Sequence, residues 1–165
     1  MKVKQFLCLL AIVPFIFFSC GKEDSDYRDG YEGTYATNIT GSLTIVNTGV
    51  SFPIDAYDDI VVKKLGSKEL KFTNAGESMI VTVDKEGNFT VPAESASQTQ
   101  TDPETGAQVT MNLTGSGFGS ITNKTLYIKE TYWGSAVLEV NGEVDYSTVS
   151  GTIVYNGNKK SNSRR

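Results

Sequence analysis

The 165-residue chain contains no histidine, and of its two cysteines Cys8 sits inside an apolar leader, so only Cys20 remains beyond it. Without histidine there is no Ser-His-Asp or Cys-His catalysis and no ordinary His/Cys zinc site. A single thiol forms no intrachain disulfide. Proline (4 residues) and tryptophan (1) are scarce. Positive charge is also short: 15 Lys and Arg stand against 19 Asp and Glu. Lys2 and Lys4 lie in the leader, whereas every acid follows Cys20. The part beyond the leader is therefore distinctly acidic and lacks the basic excess with which a protein displays affinity for nucleic acid. Long apolar runs are missing too. The longest, "FLCLLAIVPFIFFS", covers about 14 residues where a spanning helix needs about 20, and Pro14 interrupts it.

Two early lysines, that apolar run and the small Ser19 have the layout of a secretory signal over residues 1–19 rather than of a retained membrane anchor. The segment Phe17-Phe18-Ser19-Cys20 resembles the lipobox of bacterial lipoproteins, although two phenylalanines stand where that motif usually has leucine and a small residue. The resemblance implies that the Cys20 thiol receives a diacylglycerol, that the chain is cut before it, and that the new amine is acylated. Several acyl chains on one residue would hold the protein stably on a membrane, at about 0.8 kcal/mol for each buried methylene. The following Gly21-Lys22-Glu23-Asp24-Ser25-Asp26 resembles the lysine-plus-acid run of bacteroidete-type lipoproteins, which implies an outer-membrane, cell-surface address carried by Lys22, Glu23 and Asp24. The competing reading of the same residues is a solvated tether. Residues 20–30 are accordingly expected as tether, 31–157 as one domain, and the polar, basic 158–165 as a frayed tail.

Gly33 to Val46 alternates Tyr35, Thr37, Ile39, Gly41, Leu43 and Ile45 with a polar parity, and Ala107 to Gly117 repeats the pattern with Val109, Met111 and Leu113. Period two with one apolar parity is a half-buried strand. Further candidates lie at about 51–56, 59–64, 69–73, 78–84, 88–94, 125–130, 136–145 and 149–155, separated by Gly, Asn, Asp and Lys clusters that read as hairpin turns. The Asn141-Gly142 pair is a hairpin signal, but parity runs through it from Leu138 to Tyr146, so one strand to Asp145 is expected, with a turn near "YSTV". Ala93 to Gly106 has no large apolar residue and reads as a mobile loop. The fold class is all-β: an antiparallel meander of 8–10 strands closing as an up-and-down barrel, with a two-sheet sandwich as the alternative. The Gly33-Thr34-Tyr35 start followed by a meander is similar to the lipocalin-like or calycin-type domains of many bacteroidete-type lipoproteins, although true lipocalins carry tryptophan at the place of Tyr35.

Tyr132 and Trp133, read as lying between two strands, place flat apolar faces near a rim where a small apolar or glycan ligand could stack, or else they pack structurally. With Tyr35 they are the candidate ligand contacts. "DKEGNF", from Asp84 to Phe89, has its glycine too early for a calcium loop and reads as a hairpin turn. No metal or cofactor is expected. No catalytic signature is present, so the expected function is a non-catalytic binding module on a lipid anchor. The alternative is an accessory lipoprotein docked on an outer-membrane protein partner through a sheet edge. A hydrolase would require paired carboxylates facing each other across a cleft.

Overall fold

The computed structural model describes residues 26–101, 108–140 and 142–161. Alternation of apolar and polar side chains generates eight strands: β1 (Gly33–Ile45), β2 (Val50–Leu65), β3 (Glu69–Asn74), β4 (Glu77–Thr82), β5 (Asn88–Thr101), β6 (Gln108–Thr122), β7 (Thr125–Val140) and β8 (Glu143–Lys159). They form one antiparallel sheet in the order β4-β3-β2-β1-β8-β7-β6-β5. The edge strands β4 and β5 meet at a single bridge, Val83 to Phe89, so the sheet curls into a nearly closed up-and-down barrel. One continuous sheet rules out the sandwich. It is compatible with a lipocalin-like barrel.

The apolar parity faces inward, as expected. Tyr35, Val62, Leu70, Val83, Ile121 and Leu126 are fully buried in a core at the end where β1 starts and β8 finishes. A smaller cluster of Ile45, Met111, Ala136 and Val149 occupies the far end of the longer strands. The short β3–β4 hairpin covers only the first of these two levels.

The base of the barrel is closed by residues ahead of β1. A single 3₁₀ turn, Tyr27–Gly30, is capped by Asp26, whose side chain accepts the Arg28 N–H. Arg28 is buried, and its guanidinium donates to the carbonyls of Leu65, Gly66 and Glu69, saturating the turn between β2 and β3. Its hydrogen bonds to Asp26 hold that carboxyl down at about 2. Tyr27 donates to the Val83 carbonyl at 3.0 Å and Tyr31 to that of Lys85 at 3.1 Å, so the segment is also tied to the connection between β4 and β5. This turn lies within the stretch expected as tether. At the other terminus β8 continues to Lys159, and the Lys160 ammonium pairs with Asp59 at 2.6 Å, so the first residues of the expected tail belong to the fold.

Several strand limits differ from expectation. Residues 51–56 and 59–64 are one strand, because inward parity passes unbroken through Ile54, Ala56, Asp58 and Ile60. β7 runs without interruption across residues 131–135, and Gly134 sits against the β6 backbone there. The reading of one strand across Asn141-Gly142 is overturned: β7 ends at Val140, β8 begins at Glu143, and the two residues pair. The run of parity misled because Val144 and Tyr146, at the hairpin tip, are both exposed and have no core to select a face. Residues 93–101 are strand rather than loop, with a register shift between Val91 and Glu94. Their polarity reflects an edge strand whose side chains from Ala93 to Thr99 are exposed. Residues 102–107 lie outside the described residues, as do Cys20, Lys22, Glu23 and Asp24. "DKEGNF" is the β4–β5 turn: the Asp84 carboxylate accepts the Asn88 backbone and side-chain N–H groups at 2.7 and 3.0 Å, and Gly87 has φ +89°.

Candidate functional site

The interior of the barrel is filled at its base by the larger core and at its far end by the smaller cluster. At mid-height a cavity of about 330 Å³ has an apolar floor of Ile60, Phe72, Met79 and Ile128. These residues top the lower core, so the floor is a by-product of the same inward parity that builds the barrel. Ile39 lines the wall from β1.

The adjoining wall is polar, with Tyr155 in register with both Ile39 and Ile128. Glu130 and Tyr132 follow Ile128 on the inward parity of β7, and Tyr155 faces inward from β8. Both tyrosine hydroxyls donate to one oxygen, Oε2 of Glu130: Tyr132 through a short contact and Tyr155 at 3.1 Å. Oε1 has no donor among the described residues. Burial, then the hydrogen bond to Glu130, pushes the Tyr132 hydroxyl well above the usual phenol range. Burial, then the neighbouring Glu130 charge, pushes the Tyr155 hydroxyl up to about 12. Both phenols therefore stay protonated at neutral pH and act as fixed donors to the carboxylate, not as bases.

Room for the Tyr132 ring comes from its neighbours across the sheet. Gly115 on β6 and Gly151 on β8 both stand in register with it, and a side chain on Gly115 would overlap the ring. An aromatic covering cross-strand glycines is a recurrent way to keep a sharply curled sheet packed. The remaining polar lining comes from the seam, where the short β3–β4 hairpin contributes Asn74 and Glu77 and the β5 edge contributes Glu94. The Asn74 amide nitrogen is buried and has no partner among the described residues.

The residues singled out from sequence divide sharply. Tyr132 lines the cavity. Trp133, one residue on, points outward from the middle of β7 and is 47 % exposed, so the two aromatics share no rim. Tyr35 lies in the basal core at 0 % exposure, with its hydroxyl donating to the Tyr31 carbonyl at 2.8 Å. Burial holds that hydroxyl up at about 12. Sequence reasoning missed Glu130, Tyr155, Asn74, Glu77 and Glu94. Glu130 was findable: it is an acid on the buried parity of its strand, between Ile128 and Tyr132.

Glu94 and Glu130 line one cavity, but Glu130 spends an oxygen on two hydroxyls. Glu77 and Ser78 from β4 line the same cavity. Among the described residues no three His, Cys, Asp or Glu side chains gather closely enough to hold a metal ion. The arrangement is a polar, mainly acidic wall with one amide donor, Asn74, unpartnered among the described residues, over an apolar floor. Neither a protein-family model nor a curated protein matches the chain.

Proposed function

We propose that the chain is a lipid-anchored, non-catalytic binding module of the outer membrane, displayed at the cell surface, whose lipocalin-like barrel holds a small molecule in its mid-height cavity. The observation that carries this reading is the cavity itself: about 330 Å³, with an apolar floor and a few convergent polar groups. That combination is what small-molecule sites share, since apolar area supplies affinity and the polar groups fix orientation.

Filling the space should remove binding. Ile39→Trp is expected to weaken uptake of the neutral fluorophore N-phenyl-1-naphthylamine at least tenfold while the melting temperature stays within a few degrees of the parent. Trp133→Ala, on the outer face, is expected to leave uptake unchanged. Equal uptake by the Ile39 variant would defeat the cavity as the binding site.

The anchor rests on the resemblance of Phe17 to Cys20 to a lipobox. Cys20→Ser should move the chain from the membrane to the soluble fraction after cell breakage. Replacing Lys22, Glu23 and Asp24 with alanine should keep it on the membrane but lower labelling of intact cells.

A second reading, docking on an outer-membrane protein, is favoured by the edge of β5 from Glu94 to Thr101, which among the described residues pairs with β6 alone. Unpaired backbone groups on such an edge can accept a partner strand. Crosslinking in cells separates the two, since docking alone would return a stoichiometric partner from the Ile39→Trp variant as well.

A further inference from the structure

We propose that the ligand carries a positive charge: the cavity is built for a small organic ammonium ion with an apolar body. This deepens the binding-module reading and rests on it. The charged side chains lining the cavity are Glu77, Glu94 and Glu130, all acidic, with no lysine or arginine among them. Lys129, the nearest base along β7, has the outward parity. A ligand with a carboxylate or phosphate head would face the half-buried Glu130 and, at the mouth, the exposed Glu77 and Glu94, so the common anionic amphiphiles are selected against.

The positive partner is selected for by geometry as well as by sign. Glu130 is held by two hydroxyls on Oε2, which leaves Oε1 without a protein donor among the described residues. The hydroxyls of Tyr132 and Tyr155 fix that carboxylate in place, so its free oxygen keeps one position for a positive group. Phe72, Ile60 and Ile128 offer the opposite pole, an apolar seat with no charge to solvate. A bare divalent metal fits poorly, because calcium takes six to eight oxygens and the carboxylates here form no metal-holding group among the described residues. A quaternary alkylammonium fits, since its charge is spread over its N-methyl groups and its body is apolar.

The test compares hexyltrimethylammonium, hexan-1-ol, hexanoate and calcium chloride by calorimetry on the full chain in phosphatidylcholine nanodiscs, with empty nanodiscs as blank. The ammonium is expected to bind at least tenfold tighter than the alcohol, with hexanoate the weakest of the three organic probes. Glu130→Gln is expected to cut the ammonium-to-alcohol preference at least fivefold while leaving the alcohol unchanged. If that variant does not fold, Glu94→Gln at the exposed edge is expected to lower the preference in the same direction. Alcohol or hexanoate binding as tightly as the ammonium would overturn the charge assignment and leave the binding module standing. Calcium binding that displaces the ammonium would also overturn it. No binding of any organic probe, or equal binding by Ile39→Trp, would remove the binding module and this inference together.

Discussion

Gly117→Val is expected to leave no folded barrel at growth temperature. Gly117 lies in register with Glu130, and a side chain there would overlap the Lys129 carbonyl oxygen and crowd the Glu130 Cα. Both are backbone atoms of a strand paired on its other side with β8, so neither neighbour can turn aside as a flexible side chain would. Overpacking a well-packed interior typically costs about 1 to 3 kcal/mol when side chains can give. A clash against fixed backbone belongs with the exceptional substitutions above about 4 kcal/mol. Circular dichroism would show loss of the cooperative melt. A variant that melts within a few degrees of the parent would mean that β6 and β7 are not so tightly curled together at this point.

Phe89→Ala is expected to be the most damaging truncation of a side chain, because one ring serves three purposes. It is buried, packs on Phe72 at 5.0 Å between ring centres, and fills the space over Gly119. It also stands at the bridge to Val83, where β4 meets β5. Loss of a buried phenylalanine costs about 3 to 5 kcal/mol. For a domain of this size that lowers the melting temperature by roughly 10 to 20 °C. The distinguishing readout is local: the Asp84 amide, which donates to the Asn88 carbonyl at 3.0 Å, should exchange with solvent faster than the amides of the β1–β8 ladder. Uniform acceleration at both places would mean that the seam opens only with the whole barrel.

The barrel was readable from sequence where one face of a strand meets the core. Tyr35, Thr37 and Ile45 on β1, and Met111 on β6, fall on the expected parity. It was unreadable where strands project beyond the core. At Asn141-Gly142 a local turn preference met an alternation of exposed residues, and the turn preference was the better guide. Along β5 the absence of large apolar residues signalled an edge, not an absence of strand. The cavity was legible only in part, because pockets are made by what several strands leave unfilled at one height. Tyr132 and Trp133 were singled out together as adjacent aromatics, yet period two sends adjacent residues to opposite faces. The same rule marked Glu130 as an acid turned inward, which composition alone does not reveal.

The seam between β4 and β5 lacks a ladder, yet those two strands are joined covalently through Asp84 to Gly87. The break in the covalent chain falls between β1 and β8 instead, which are in register from Tyr35 with Lys159 to Ile45 with Val149, and where the Lys160 amide donates to the Thr34 carbonyl at 2.8 Å. Around the ring, peptide linkage and hydrogen-bonded ladder thus substitute for each other. A circular permutant cut inside the β4–β5 turn and rejoined at the original ends would keep every ladder and lose the continuous link across the weakest junction, converting a closed ring into a sheet free to unroll.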